Sequence, residues 1–246
     1  MRTDVLDLYG FYDSALGAAA SDFIAGWIAD RWGDGAGARI AGFGYASPYL
    51  GDFPAAERVL ALAPAAQGVM GWPPGEKNKA GLVEEYHWPL PDASIDRLLI
   101  VHGLEETGDP RRLMREAWRV LTDEGRVIIV APHRRGLWSI IETTPFAAGR
   151  PYLKRQLRAL LADTLYSDEA WSGALYFPPF GARFLLRAAR AWERAGAKLS
   201  PGLGGVIMVE ATKSLMAPIG LVQRARSGAL RPVTARSAAY RKRCES

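Results

Sequence analysis

The chain has one cysteine, Cys244, and three histidines, His87, His102 and His133, in 246 residues. A single thiol permits no internal disulfide and no cysteine-based metal cluster, and so few histidines make a zinc site improbable. Long apolar runs are also missing. No stretch approaches the roughly 20 residues that cross a bilayer, and Asp4, Asp7 and Asp13 stand where a signal peptide would be basic and then apolar. These absences predict a cytoplasmic protein with no transmembrane segment. What is present is a composition 49% apolar, enough to bury a core in one large domain or in a domain with an appendage, and this excludes disorder throughout.

The net charge of +5 is unevenly placed: from residue 222 onward seven bases stand against Glu245, which leaves −1 for the preceding 221 residues. That end is rich in Ala, Ser and Arg, contains Gly228 and Pro232, and shows no apolar period. The pattern predicts a main domain over residues 1–220 and a flexible basic tail over 221–246. Such a tail serves as a solubilising end, or as a contact for nucleic acid or an anionic membrane surface.

Within the main domain, apolar residues from Val5 to Trp32 fall at helical spacings broken by Gly10 and Gly17. They predict one or two helices covering the sheet edge, an N-terminal helical cap over residues 1–35. Short apolar runs predict strands at 39–43, 58–63, 82–86, 97–101 and 126–131. Asp109-Pro110 supplies a capping carboxylate and a first-turn proline for a helix carrying Leu113, Ala117 and Leu121, with Gly125 as its stop. Helices are expected over 153–163 and 182–195, with a strand near 174–177 and a last strand at 205–211. Short connections between strands through a helix require parallel pairing. The expected architecture is α/β: a Rossmann-like sheet of seven mostly parallel strands with helices on both faces. In an open sheet of this kind ligands collect at the carboxyl ends of the strands, and the loop after the first one carries Gly42-Phe43-Gly44.

The block Pro89-Leu90-Pro91-Asp92-Ala93-Ser94-Ile95-Asp96, His102-Gly103-Leu104-Glu105, then Asp109-Pro110 through Glu116, Arg119-Val120-Leu121 and Gly125, resembles the central signature of class I S-adenosylmethionine-dependent methyltransferases of the type 11 kind. The dense match covers about 40 residues, and the strand order extends it over residues 36–213, with GVIMVEATK as the family's antiparallel last strand. The resemblance implies S-adenosylmethionine as cofactor and an unidentified, small-molecule acceptor. By position, Gly42 and Gly44 lie under the methionine part of the cofactor, with Tyr45 beside them. Glu84 receives the adenine amino group, the backbone of Glu85 meets the ring, and His102 lies beside the sulfonium. His102, Glu105 and His133 are the candidate proton acceptors, Arg134-Arg135 a candidate grip on an acidic acceptor, and residues 137–182 an acceptor-side insertion with an aromatic wall from Trp171 to Phe180.

The chain departs from the family pattern at two places. Ile40 and Ala46 replace the acid and the third glycine of the first-strand motif, and the second strand, RVLALAP, lacks the acid that accepts the ribose hydroxyls. Losing that carboxylate removes about 1.5–3 kcal/mol of charge-assisted bonding unless another group substitutes. Tyr45, Tyr49, Gln67 and Trp72 are the candidates to do so. The departures also fit a catalytically inactive binding or regulatory protein on the same fold. A nicotinamide dinucleotide enzyme would use the same Gly-x-Gly, but Ser47 stands where its third glycine belongs.

Overall fold

A computed structural model describes residues 2–200 and 202–214; the basic tail expected over 221–246 lies outside the described residues. Two helices open the chain, α1 (Val5–Asp13) and α2 (Ala15–Trp32). The Asp4 carboxylate caps α1 by accepting from the Leu6 amide at 2.8 Å, and the Ser14 hydroxyl caps α2 by accepting from Gly17 at 3.0 Å. Then come β1 (Arg39–Gly44), a single turn α3 (Ser47–Leu50), β2 (Arg58–Pro64), β3 (Ala80–Val83), β4 (Ile95–Val101), α4 (Pro110–Val120) and β5 (Leu121–Pro132). Two 3-10 turns (Leu137–Ser139 and Pro145–Ala147) lead to α5 (Lys154–Asp163), β6 (Tyr166–Ala174), α6 (Arg183–Leu199) and β7 (Val206–Lys213).

The seven strands form one sheet in the order β3-β2-β1-β4-β5-β7-β6. Neighbours are parallel except that β7 runs antiparallel to both β5 and β6. The central strands are buried on both faces, which is why they read as continuous apolar runs rather than alternating ones. On one face Phe43, Leu98, Ile100 and Ile129 pack with Leu113 and Ala117 of α4 and Leu157 and Leu161 of α5. On the other, Ile40, Leu99, Val101 and Ile128 pack with Ile24, Ile28 and Trp32 of α2.

Four sequence expectations need correction. Helix α2 covers a face of the sheet, not its edge, because its buried stripe Ala20, Ile24, Ile28 and Trp32 meets the central strands. Helix α4 ends at Val120, before Gly125, because Leu121 already pairs with Ile95 in the sheet. Strand β3 is Ala80–Val83 rather than 82–86: the chain reverses after Val83, with an isolated bridge between Glu84 and His87. The strand expected near 174–177 is β6, Tyr166–Ala174, an edge strand. Exposed on one side, it carries the polar residues that hid it from an apolar pattern.

The densest motif of the sequence is structural. Glu116 accepts the Trp88 amide at 2.6 Å, and Arg119 donates to both Glu116 oxygens, to the carbonyls of Trp88 and Leu90, and to Asp92 at 2.6 Å. The Pro-Asp loop is thereby tied to α4. Burial alone would raise the Glu116 carboxyl, but the bonds from Arg119 and the Trp88 amide outweigh it and hold the group below the usual range. A depressed carboxylate contributes stability that is present at neutral pH and lost as pH falls through its folded value. Glu116→Gln is therefore expected to cost about 1–3 kcal/mol at pH 7. The gap to the parent in urea melts should close as pH drops below about 4; a constant gap would remove the ionic network from the account.

Candidate active site

Strand β1 ends at Gly44, whose φ is +86°. A Cβ there would lie 2.2 Å from the Val101 carbonyl oxygen, so only glycine lets the ends of β1 and β4 approach this closely. The contact is sealed by the Tyr45 amide, which donates to Val101 O at 2.7 Å. Gly42 makes room for α3, since a Cβ would stand 2.5 Å from the Ala46 methyl carbon. Both glycines answer to the protein's own packing, although Gly44 also borders a cavity. Gly44→Ala should lose at least about 1–2 kcal/mol from the left-handed backbone alone, visible as a lowered melting temperature; an unchanged melt would refute this packing.

The cavity has a volume of about 430 Å³, within the range of about 300–1,000 Å³ usual for small-molecule sites. It opens beside Gly44 and Tyr45 and runs along the β2–β3 face over Ala61, Ala63 and Ala80. Residues 65–79 connect these strands without a helix, and so the small alanines there stay open to the cavity. Val69, Met70, Trp72 and Pro74 of that connection form the outer wall, and Val5, Tyr9, Tyr12 and Asp13 of α1 close the top. Gln67 enters from just beyond β2. Its side-chain amide donates to the Gly44 carbonyl at 3.1 Å, while its buried Oε1 has no hydrogen-bond partner among the described residues.

Behind Tyr12 lies a buried polar array. His102, at the end of β4, has φ +49°, an uncommon conformation for a residue with a side chain. Its Nε2 lies 3.0 Å from the Tyr12 hydroxyl and its Nδ1 3.3 Å from Glu105 Oε1. The Tyr12 hydroxyl is also 3.1 Å from that of Tyr49. Phe146 packs on the imidazole at 4.7 Å between ring centres. Both Glu105 oxygens are buried without a conventional hydrogen bond among the described residues, an expensive arrangement for a carboxylate. Burial, with Tyr49 and Glu105 nearby, raises Tyr12 well above the ordinary phenol value, and burial pushes Tyr45 up to about 12.

Of the residues singled out from sequence, Gly44, Tyr45, Gln67 and Trp72 border the cavity, Tyr49, His102 and Glu105 connect to it through Tyr12, and Gly42 sits under α3. Glu84 points to solvent, 3.5 Å from the His87 ring. Glu85 is paired with Arg2, which also donates to the Gly103 carbonyl at 3.3 Å. His133 stands apart: its Nδ1 is 3.1 Å from Gly204 O, and it borders a separate cavity with Lys154 and Trp171. Burial, reinforced by Arg135, lowers its pKa. Arg134 donates to the Pro151 carbonyl. Tyr12 and Arg2 escaped the sequence reading because their partners lie 90 and 83 residues away, a separation no local pattern encodes.

Residues 41–129 match the family model described as a methyltransferase domain. The chain is 31% identical over 136 residues to the uncharacterized protein YafS of Escherichia coli (strain K12), covering 52% of each. It is 32% identical over 117 residues to a protein of Mycobacterium tuberculosis named "Probable S-adenosylmethionine-dependent methyltransferase", covering 44% of this chain and 38% of that one. The chain thus spans about half or less of the length of the curated relatives it matches. A solved S-adenosylmethionine-dependent methyltransferase from Mesorhizobium loti superposes with a TM-score of 0.55 at 15% identity, covering 78% of this chain and all of that one. The domain match over residues 41–129, the sheet order and the lone antiparallel β7 agree: the chain carries a region similar to a methyltransferase domain on the fold of the solved S-adenosylmethionine-dependent methyltransferases.

Proposed function

We propose that the protein transfers a methyl group from S-adenosylmethionine to a small-molecule acceptor, with the cofactor held in the cavity beside Gly44. The observation that carries this reading is Gln67 Oε1: a buried acceptor without a partner, just beyond β2, where the family's ribose-binding acid is missing. A ribose hydroxyl can donate to it, and Met70, Trp72 and Ala63 offer apolar surface to a base. Glu85 is paired with Arg2 and, like Glu84, does not line the cavity, so neither is needed to hold the ligand.

The cofactor supplies an electrophilic methyl on a sulfonium centre. The chain's own contribution is a proton path. With Nδ1–H turned toward Glu105, His102 Nε2 accepts from the hydroxyl of Tyr12, a residue that lines the cavity. An acceptor hydroxyl or amine can give its proton to the Tyr12 oxygen while the Tyr12 proton passes to Nε2. Glu105 then balances the imidazolium, as a buried carboxylate does for a general-base histidine. Raised as it is, Tyr12 relays a proton rather than resting as phenolate. The second reading, a binding protein without turnover, draws on the absent ribose acid.

Calorimetric titration with S-adenosylhomocysteine tests the cavity. Micromolar binding is expected, weakened about tenfold by Gln67→Leu, the worth of one hydrogen bond of about 1.4 kcal/mol. Binding that Gln67→Leu leaves untouched would move the ligand elsewhere.

A further inference from the structure

Helix α6 has three distinct sides. Leu186, Ala189, Glu193 and Gly196 face the body of the protein: Ala189 is buried, Leu186 packs on the α2-side core, and Glu193 accepts the Tyr176 amide at 2.5 Å. A second side presents Phe184, Trp192 and Leu199 to solvent at 71%, 47% and 79% exposure, on one stripe of the 3.6-residue period with the small Ala188 and Ala195 between them. A third carries Arg183, Arg187, Arg190, Arg194 and Lys198, spaced four, three, four and four residues apart and all exposed. Phe180 before the helix and Leu203 after it, also half exposed, lengthen the apolar stripe.

Large apolar side chains left in water are ordinary singly and informative as a stripe. Here the stripe is flanked along its whole length by cations, while the helix's only acid, Glu193, is turned inward. That combination is the signature of a helix lying in the plane of a membrane surface, with aromatic and aliphatic groups below the headgroups and bases among them. From this charge complementarity we infer that α6 docks the protein on an anionic lipid bilayer. Nucleic acid would satisfy the bases but leave Phe184, Trp192 and Leu199 without a role. A second copy pairing through the same stripe would bring two rows of five bases together. The inference does not depend on the methyltransferase reading.

The test is co-sedimentation of the full chain with phosphatidylserine–phosphatidylcholine vesicles and with pure phosphatidylcholine vesicles. Binding to the anionic vesicles is expected, weakening at high salt. It should fall about tenfold or more for the exposed pair Phe184→Ser/Trp192→Ser and for Arg187→Glu/Arg190→Glu, on the scale of about fivefold per base. Several results would overturn it: vesicle binding that neither pair changes, binding abolished by removing residues 222–246 yet indifferent to α6, or equal affinity for pure phosphatidylcholine. So would capture of duplex oligonucleotide in place of vesicles, or a dimer in analytical ultracentrifugation that the Phe184/Trp192 pair dissolves.

Discussion

Tyr12→Phe and His102→Asn are each expected to slow methyl transfer by about 10²–10⁴-fold, the usual contribution of a positioned acid–base group. Affinity for S-adenosylhomocysteine should stay within about twofold. Asparagine is the replacement of choice at 102 because the site demands φ +49°, and Asn tolerates the left-handed region better than most residues. Phenylalanine at 12 keeps the ring contacts with Tyr45 and Tyr49 and removes only the oxygen. Because the two groups act in one path, the double variant should be little slower than the slower single variant. Single-turnover rates measured once an acceptor is found check this. Full activity in Tyr12→Phe would reduce the hydroxyl to a packing partner, and additive losses would separate the two residues.

The second large effect is structural. Trp138 is fully buried where the connection after β5 meets the sheet. Its indole contacts Phe11, Phe146 and Phe177 at ring-centre distances of 6.5, 5.7 and 5.2 Å, and its Nε1–H donates to the Phe177 carbonyl at 2.7 Å. Gly205 must lack a side chain to admit it, since a Cβ there would sit 2.4 Å from the indole. Trp138→Ala should cost about 3–5 kcal/mol through the cavity it leaves, a fall in melting temperature of roughly 6–20 °C for a domain of this size. Calorimetric melting measures it, and a shift of only a degree or two would mean that this cluster closes over the gap. Phe146, which rests on His102, would lose its support, so the array of Tyr12, His102 and Glu105 should loosen as well.

How much of this could be read in advance depended on whether the controlling contacts are local. The β4–α4–β5 unit was plain, because two apolar runs bracket a helix whose cap is written as Asp109-Pro110; the cap accepts from Arg111 and Arg112 at 3.0 and 3.1 Å. Strand β6 was misplaced because an edge strand has no second neighbour to demand apolar residues. The end of α4 was missed because Leu121 is claimed by its pairing with Ile95, not by Gly125. In the site, His102 and Glu105 stood out together through their motif, three residues apart. Gln67 is one of four candidates to replace the missing acid, and what sets it apart is a buried Oε1 with no hydrogen-bond partner among the described residues, held beside Gly44. Tyr12 has no signal in the chain: α1 brings its hydroxyl to His102, 90 residues away, only in the folded protein. The glycines illustrate the reverse: the sequence singles out Gly42 and Gly44, while the close packing of β1 on β4 and α3 that requires them is visible only in three dimensions.

The most direct test of the central claim is a crystal structure of the protein with S-adenosylhomocysteine. The nucleoside is expected in the cavity beside Gly44, with a ribose hydroxyl on Gln67 Oε1 and the sulfur facing Tyr12. A ligand bound instead on the Glu84 side, or an empty cavity at saturating concentration, would contradict it.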